Sequence, residues 1–370
     1  MAGGKNLEIQ GLRGYAILLV IIAHMEYLVL PLNPRLQYFW LGSGVDLFFC
    51  ISGFVIARGL FTRKETNFLE FYLPFLVRRV YRLWPAALFW AFVTILLSLT
   101  FNKHKSFGSS TDTFLTAVAS LFQLVNVRLV SCLYTDLVNC TVSTPLRIYW
   151  SLSLEEQFYL IFPVLLFFLG SRKLVWLAAG LVVAQLFLYR PYPSPLWFFR
   201  TDALCIGILI AYAHVKGYAA ALAPVFLNSV RARKIGSITL CLLLILVAKK
   251  EVVWFYNGLV AIVSGLLVFV ASYDRSYFLG RGRFASVIAY LGERSYSIYL
   301  THMLCMLFIR EVYVRIFHSL PTSGVMPFAL GVFAIGLTLI MSEISYRRIE
   351  APLRDKGRQV AKGMFKVSDP

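Results

Sequence analysis

Charge is scarce in this sequence of 370 residues, and acidic charge is the scarcest. Only 15% of the residues are charged, with 18 acidic against 36 basic side chains, whereas 59% are hydrophobic. The mean hydropathy is +0.72. Soluble globular proteins carry about 25% charged residues. The composition therefore excludes an ordinary soluble domain and indicates a multi-pass membrane protein.

Other absences narrow the class further. The N-terminal MAGGKNLEIQ is polar, and the apolar run after it has no small-residue cleavage site, so we expect a signal anchor and no cleaved leader. The sequence shows no internal repeat and no separate soluble domain. No histidine or cysteine spacing indicates a metal site. Basic residues are scattered over short segments, which argues against nucleic acid and leaves lipid headgroups or an anionic ligand as partners.

Apolar runs of about 17–25 residues predict an all-α protein with ten membrane spans. The predicted spans are 11–30, 38–57, 83–101, 149–169, 173–189, 196–214, 235–249, 254–271, 295–314 and 326–345. An eleventh apolar stretch, 113–130, is interrupted by Gln123, Asn126 and Arg128. We expect one short re-entrant or interfacial helix there, in a long outer loop.

The distribution of basic residues supports ten spans with both termini in the cytoplasm. In that arrangement the cytoplasmic segments hold 25 of the 36 lysine and arginine residues, as the positive-inside rule requires. The predicted domains are a membrane domain over 1–350 and a short basic cytoplasmic tail over 351–370. Cys132 and Cys140 fall in the long outer loop, where they could form a disulfide if that side is oxidising.

The first span, GLRGYAILLVIIAHMEYL, keeps two ionisable residues, Arg13 and His24. Eleven helical steps return to within about 20° of the start, so both lie on one face, about 16 Å apart along the axis. We expect Arg13 at the cytoplasmic edge and His24 about 9 Å short of the outer end. Arginine can snorkel at a boundary and histidine can join two helices, but intramembrane ionisable residues are functional candidates by default.

Ionisable residues of three other spans are predicted at the depth of His24. They are Asp46, Glu155, Glu156, Arg200 and Asp202. Charges gathered in one layer indicate a polar chamber in the outer half of the membrane. A histidine there could take the proton from a hydroxyl that attacks a thioester, with Asp46 or Glu155 orienting the imidazole. Arg200 or a hydroxyl such as that of Ser151 or Ser153 could stabilise the oxyanion.

The predicted inner face carries an arginine cluster in FLVRRVYRLWP, just before the third span. Arg78 and Arg82 are four residues apart and share a helical face. The cluster is either a basic membrane boundary or a clamp for phosphates, since arginine binds phosphate oxygens in pairs. Coenzyme A suits a phosphate clamp separated from the reaction centre, because its nucleotide end is polyanionic and its pantetheine arm is long and thin.

Seven blocks, in order along nearly the whole chain, resemble the acyltransferase-3 family of multi-spanning membrane O-acyltransferases. The blocks are LRGYAILLVIIAH, GVDLFFCISGFVI, RRVYRLWP, YWSLSLEEQFYLIFP, FFRTDAL, LGERSYSIYLTHM and SYRRIEAPLR. Members modify bacterial surface polysaccharides and related molecules. The resemblance implies ten helices, a bacterial inner membrane, acyl-coenzyme A (usually acetyl-coenzyme A) as donor, and a glycan or lipid-linked saccharide as acceptor.

The resemblance also implies residue roles. His24 is the expected catalytic residue, and Arg13 is its required partner. Arg13, Arg78 and Arg82 are expected to bind the donor, and Glu155 is expected to have a role within its block. The expected substrate contacts are Trp150, Ser153, Arg200, Asp202 and His302. The late block departs from the family at His302-Met303-Leu304, where histidine-tryptophan-proline is usual, which weakens the expectation for His302.

The function predicted from the sequence is O-acyl transfer from acyl-coenzyme A to a hydroxyl, with His24 as general base; a covalent acyl-histidine is a variant. Some relatives carry an appended SGNH hydrolase-like domain, and we expect none here because the chain ends soon after its last span. The alternative is a transporter of an anionic solute or acyl carrier, which would need broken helices and related halves.

Overall fold

The fold is described from a computed structural model. It covers residues 6–25, 41–134, 144–249, 252–280, 282–321 and 325–365. All regular secondary structure in these ranges is helical. In chain order the helices are α1 Leu7–His24, α2 Gly44–Phe61, α3 Phe68–Thr100, α4 Ser110–Leu121, α5 Val125–Tyr134, α6 Tyr149–Leu186, α7 Pro195–Phe198, α8 Asp202–Val215, α9 Tyr218–Ala221, α10 Val230–Leu246, α11 Tyr256–Ser272, α12 Arg283–Glu293, α13 Ser295–Phe317, α14 Met326–Ser345 and α15 Ala351–Gly363.

Six helical segments in the described ranges are long and apolar enough to cross a membrane. They are Leu7–His24, Gly44–Phe61, Phe68–Thr100, Pro145–Leu186, Pro195–Val215 and Met326–Gly363. The structure is thus that of an all-helical, multi-pass membrane protein. The predicted span 326–345 coincides with α14. The predicted boundary between the spans 149–169 and 173–189 falls at Gly170 of α6, whose φ of +75° interrupts the helix in a region that favours glycine.

Three helix ends within the described residues differ from the predicted ends of the first three spans. Helix α1 begins at Leu7, because the Asn6 side chain accepts a hydrogen bond from the Ile9 amide (2.9 Å) and caps the helix. It ends at His24, which is the last residue of this helix. The predicted end of the first span at residue 30 and the predicted start of the second at residue 38 lie outside the described residues. Helix α2 begins at Gly44, which leaves Asp46 in its first turn.

The helix that contains the third predicted span begins much earlier than its apolar run. The Asn67 side chain accepts from the Leu69 amide (2.9 Å) and caps α3, which then continues to Thr100. Arg78 and Arg82 therefore lie inside a 33-residue helix and not before it. Pro85 is also internal to this helix.

Two predicted non-spanning segments also differ from expectation. The stretch 113–130, predicted as one short helix, forms two helices, α4 and α5. They separate at Gln123, whose φ of +56° is left-handed. The predicted tail is helical over Ala351–Gly363 and follows α14 through a π-helical turn, Tyr346–Glu350. Its Gly357 packs on α3, since a Cβ at this position would come within 2.4 Å of the Tyr81 Cβ atom.

The described residues form two compact units. Unit 1 comprises Met1–Ala23, Asn33–Arg63 and Phe168–Ser295, and unit 2 comprises His24–Leu32, Lys64–Phe167 and Tyr296–Pro370, as far as the described ranges extend. In unit 1, α2 and α8 pack at backbone distance through two glycines. A Cβ atom at Gly53 would lie 2.1 Å from the Leu204 carbonyl oxygen, and one at Gly207 would lie 2.2 Å from that of Cys50. Small residues of this kind allow membrane helices to approach closely.

Substituting Gly53 with alanine is expected to lower thermal stability in detergent, because its Cβ would clash with backbone. Overpacking of this kind costs about 1–3 kcal/mol. Gly59 lies in the same helix with nothing within 4 Å of its Cβ position. The Gly59→Ala control should therefore melt at or above the wild-type temperature. Equal melting temperatures for the two variants would show that α2 and α8 do not require this close approach.

Candidate active site

Two histidines meet in unit 2, one from each end of the chain. The ring centroids of His24, at the end of α1, and His302, in α13, lie 5.1 Å apart with the ring planes at 62°. His302 is completely buried, while His24 is partly exposed. The structure thus brings together His24, expected as the catalytic residue, and His302, the residue whose assignment the sequence left weakest.

A backbone contact fixes the proton on His302. Its Nδ1 atom lies 2.8 Å from the Tyr299 carbonyl oxygen. Because a carbonyl oxygen only accepts hydrogen bonds, Nδ1 carries the proton and the neutral ring presents Nε2 as an acceptor. Nε2 is buried and has no hydrogen-bond partner among the described residues. Such an atom is an exception in protein interiors.

Tyr299 connects the histidines to the YWSLSLEEQFYLIFP block. The ring of Tyr299 lies 5.5 Å from that of His302. Its hydroxyl donates to the Ile148 carbonyl oxygen at 2.8 Å and lies 2.6 Å from the Ser151 Oγ atom. The start of α6 is therefore held directly against the helix that carries His302.

The same block anchors the short helices α4 and α5. The Ser153 hydroxyl accepts from the Val125 amide at 3.2 Å. Gln157 donates to the Gln123 carbonyl oxygen at 2.7 Å and exchanges two hydrogen bonds with the Asn126 side-chain amide. Trp150, in the same block, is also buried. Sequence reasoning missed Gln157, although a polar residue inside an apolar span was a usable signal.

Glu155 and Glu156 lie near an arginine that the sequence-based assignments omitted. Arg79 of α3 interacts electrostatically with both carboxylates. Its guanidinium carbon lies 5.3 Å from the Tyr159 ring centroid and 5.4 Å from that of Phe75. Glu155 accepts a hydrogen bond from the Tyr159 hydroxyl. Charged and aromatic groups from α3 and α6 therefore form one cluster in unit 2.

The arginines predicted to bind the donor lie on α3 and α1. Arg78 and Arg82 are one turn apart in α3, and the Nε atom of Arg82 is buried without a hydrogen-bond partner in the described ranges. Arg13 lies in α1 within unit 1, is partly exposed, and has a buried Nε atom. Three phosphate-compatible side chains are thus present, two of them in the unit that holds His24.

The remaining predicted charges form a neutralised network in unit 1. Asp46 binds Arg200 with both carboxylate oxygens, at 2.6 and 3.0 Å. Asp202 binds Arg190 at 2.5 Å. All four residues are at most 3% exposed. Sequence reasoning missed Arg190, which falls between the predicted spans 173–189 and 196–214.

Bonds to neutral groups extend this network. Arg200 also donates to the Trp197 carbonyl oxygen at 3.0 Å and stacks over its ring at 4.2 Å. The Arg190 carbonyl oxygen accepts from Asn257 at 2.7 Å. Buried charges are tolerated when they are paired and hydrogen-bonded, so these contacts tie α2 to the segment that leads into α8.

The described cysteines and acidic residues give two further observations. Cys132 is disulfide-bonded, whereas Cys50, Cys205, Cys241 and Cys305 are free; Cys140 lies outside the described ranges. Across the described part of the chain, no three histidine, cysteine or acidic residues are grouped as metal ligands.

Together, the long apolar helices and the contact of His24 with the buried His302 define a multi-pass membrane protein that carries a histidine pair. A family model described as "Acyltransferase domain" matches residues 6–347. The chain belongs to this family, the acyltransferase-3 family, as the seven sequence blocks indicated.

Two relatives agree with this assignment. O-acetyltransferase OatA of Staphylococcus aureus (strain NCTC 8325 / PS 47) is 30% identical over 377 residues, which cover 94% of this chain and 57% of that protein. The putative O-acetyltransferase SACOL0978 of Staphylococcus aureus (strain COL) is 28% identical over 374 residues, with the same coverage of both chains. The chain thus spans a little over half the length of these relatives. No solved structure matches it.

Proposed function

We propose that this protein is a membrane O-acyltransferase that moves an acyl group, most simply acetyl, from acyl-coenzyme A to a hydroxyl of a glycan or lipid-linked sugar. The single observation that carries the proposal is the contact of His24 with the buried His302 in a chain of the acyltransferase-3 family. Family membership supplies the reaction class, and the histidine contact supplies a base next to a polar, buried partner.

The proposed chemistry is direct transfer. The acceptor hydroxyl oxygen attacks the thioester carbonyl carbon while a ring nitrogen of His24 takes the hydroxyl proton. The new carbon–oxygen bond forms, the carbon–sulfur bond breaks, and the departing thiolate receives the proton from the His24 imidazolium. The products are the O-acyl ester and coenzyme A, and His24 returns to its neutral form.

Coenzyme A is the proposed donor because the chain offers arginines for its phosphates. Arg78 and Arg82 share one face of α3, and arginine forks bind phosphate oxygens in pairs. Arg13, which lies in unit 1, is proposed separately as a donor-binding residue. Arg79 is assigned a different role, since it lies among Glu155, Glu156 and the Tyr159 ring, which compensate its charge. No resident metal enters the scheme.

The site roles of the other predicted residues follow from their contacts. Asp46 and Glu155 were predicted to orient His24, but Asp46 binds Arg200 with both oxygens and Glu155 accepts from Tyr159. We propose that Asp46 holds Arg200 and that Glu155 supports the Arg79 cluster. Trp150, Ser153, Arg200 and Asp202 remain proposed acceptor-side residues.

The proposed topology has ten spans with both termini in the cytoplasm of a bacterial inner membrane. The asymmetry of basic residues supports it, since 25 of the 36 lysine and arginine residues fall on the inner side in this arrangement. In this arrangement the donor binds from the cytoplasm, and the acceptor is presented in the outer half of the membrane. The names of the relatives support an acceptor that becomes O-acetylated. The acetyl group is transferred to it either by this protein directly or through a second protein.

Labelled acetyl-coenzyme A added to purified protein in detergent tests the proposal. The expected result is release of free coenzyme A that depends on a glycan acceptor, with one labelled acetyl ester formed per coenzyme A. The same protein in sealed vesicles tests the transporter alternative. Uptake of intact labelled thioester, with no acetyl ester formed, would overturn the enzyme assignment.

A further inference from the structure

The orienting partner of a catalytic histidine is usually an acceptor that receives the second N–H of the imidazolium. In this protein the two carboxylates expected to do so are bound to Arg200 and Tyr159. A different acceptor lies beside His24. The ring of His302 is 5.1 Å away, centroid to centroid, and its Nε2 atom is a buried acceptor without a partner in the described ranges.

We infer that His302 is the positioning residue of the reaction, accepting at Nε2 the second N–H of the His24 imidazolium. The inference rests on the proposed function, in which His24 becomes an imidazolium. When His24 has taken the hydroxyl proton, both of its ring nitrogens carry hydrogen. One of these N–H groups returns the proton to the thiolate, and the other is the donor for which Nε2 of His302 is the acceptor.

The tautomer of His302 makes this role specific. Nδ1 is committed to the Tyr299 carbonyl oxygen at 2.8 Å, so the acceptor nitrogen is the one that is left without a partner. Tyr299 is itself held by the Ile148 carbonyl oxygen at 2.8 Å. The ring is therefore fixed by a chain of hydrogen bonds, and its lone pair has one orientation. A bond to an ionised donor is about twice as strong as a neutral one.

The stabilisation appears when charge develops on His24, so it lowers the barrier more than it improves substrate binding. Loss of the acceptor should therefore lower kcat and leave donor affinity unchanged. The departure of this chain from the family pattern after His302 lies at Met303 and Leu304, both buried, and does not alter the Nε2 acceptor.

Two amide variants separate the positioning role from a purely structural one. Glutamine extends to the position of Nε2 and can present its carbonyl oxygen as an acceptor there. Asparagine reaches only the position of Nδ1, where it can still donate to the Tyr299 carbonyl oxygen. The inference predicts that His302→Gln keeps kcat within tenfold of wild type, whereas His302→Asn lowers it about 10²-fold, the lower end for acid–base catalysis.

The experiment measures kcat, the dissociation constant of coenzyme A, and the melting temperature of both variants in detergent. His318→Asn is the matched control: His318 follows α13, is exposed and has φ +61°, which asparagine tolerates. It should behave as wild type. A His302→Asn protein with wild-type kcat, or a His302→Gln protein slower than His302→Asn, would overturn the inference and leave the proposed function standing. A wild-type protein that transfers no acyl group would overturn both.

Discussion

Replacing His24 with alanine is expected to lower acyl transfer by about 10²–10⁴-fold, the usual contribution of a general base. The change removes the group that takes the hydroxyl proton, and water in the vacated space is a much weaker base. His24 is partly exposed at the end of α1, so the loss of its ring should not unfold the helix. Transfer of labelled acetyl from acetyl-coenzyme A measures the effect.

Two controls make the His24 result specific. The variant should bind coenzyme A with the wild-type dissociation constant, because the phosphate-binding arginines are unchanged. His104→Ala removes a histidine from a loop of the same unit whose described contact is made by its backbone amide, to Glu311 at 3.1 Å. This control should keep wild-type turnover. Wild-type turnover in His24→Ala itself would refute the catalytic assignment.

Replacing Asp46 with alanine is expected to destabilise the protein by about 3–5 kcal/mol, since it leaves the Arg200 guanidinium buried and without its counter-charge. Arg200 is 2% exposed, so water cannot replace the carboxylate. The measurement is thermal unfolding in detergent, followed by tryptophan fluorescence. Arg200→Ala should cost a similar amount, because it strands the Asp46 carboxylate.

An exposed ion pair provides the matched control for Asp46. Arg347 and Glu343 are bonded one turn apart, with the Arg347 side chain 70% exposed. Arg347→Ala should change stability by less than about 1 kcal/mol. If Asp46→Ala instead melts at the wild-type temperature and has lost turnover, Asp46 acts in the reaction, and its role as a holder of Arg200 is wrong.

Apolar periodicity predicted the helical class and the boundary within α6 because both depend on local composition. Apolar periodicity did not predict helix ends that are set by a capping side chain or helices that continue through charged residues. The Asn67 cap starts α3 well before its apolar run. Arg78 and Arg82, which were predicted to precede the third span, therefore lie inside a helix. A hydropathy pattern cannot show this, since charged residues inside a helix look the same as charged residues before it.

Pairing of distant residues could not be predicted from one sequence. His24 and His302 are far apart in the chain, and nothing in either segment indicates that they share a contact. Similarly, Arg190 falls between two predicted spans, and its position in the sequence does not indicate its ion pair with Asp202. The predicted layer of charges held three kinds of group. Asp46, Arg200 and Asp202 belong to the neutralised network in unit 1, His24 belongs to the histidine pair in unit 2, and Glu155 and Glu156 lie with Arg79. Only the partners of each side chain distinguish the three kinds.

The most direct test of the account is coenzyme A release after rapid mixing of enzyme with acetyl-coenzyme A, with and without acceptor, in wild type and in His24→Gln. General-base catalysis by His24 predicts release only when wild-type protein and acceptor are both present. Release by His24→Gln at the wild-type rate would contradict the account. So would a stoichiometric burst from wild type without acceptor, because it would mean that an acyl-enzyme forms first.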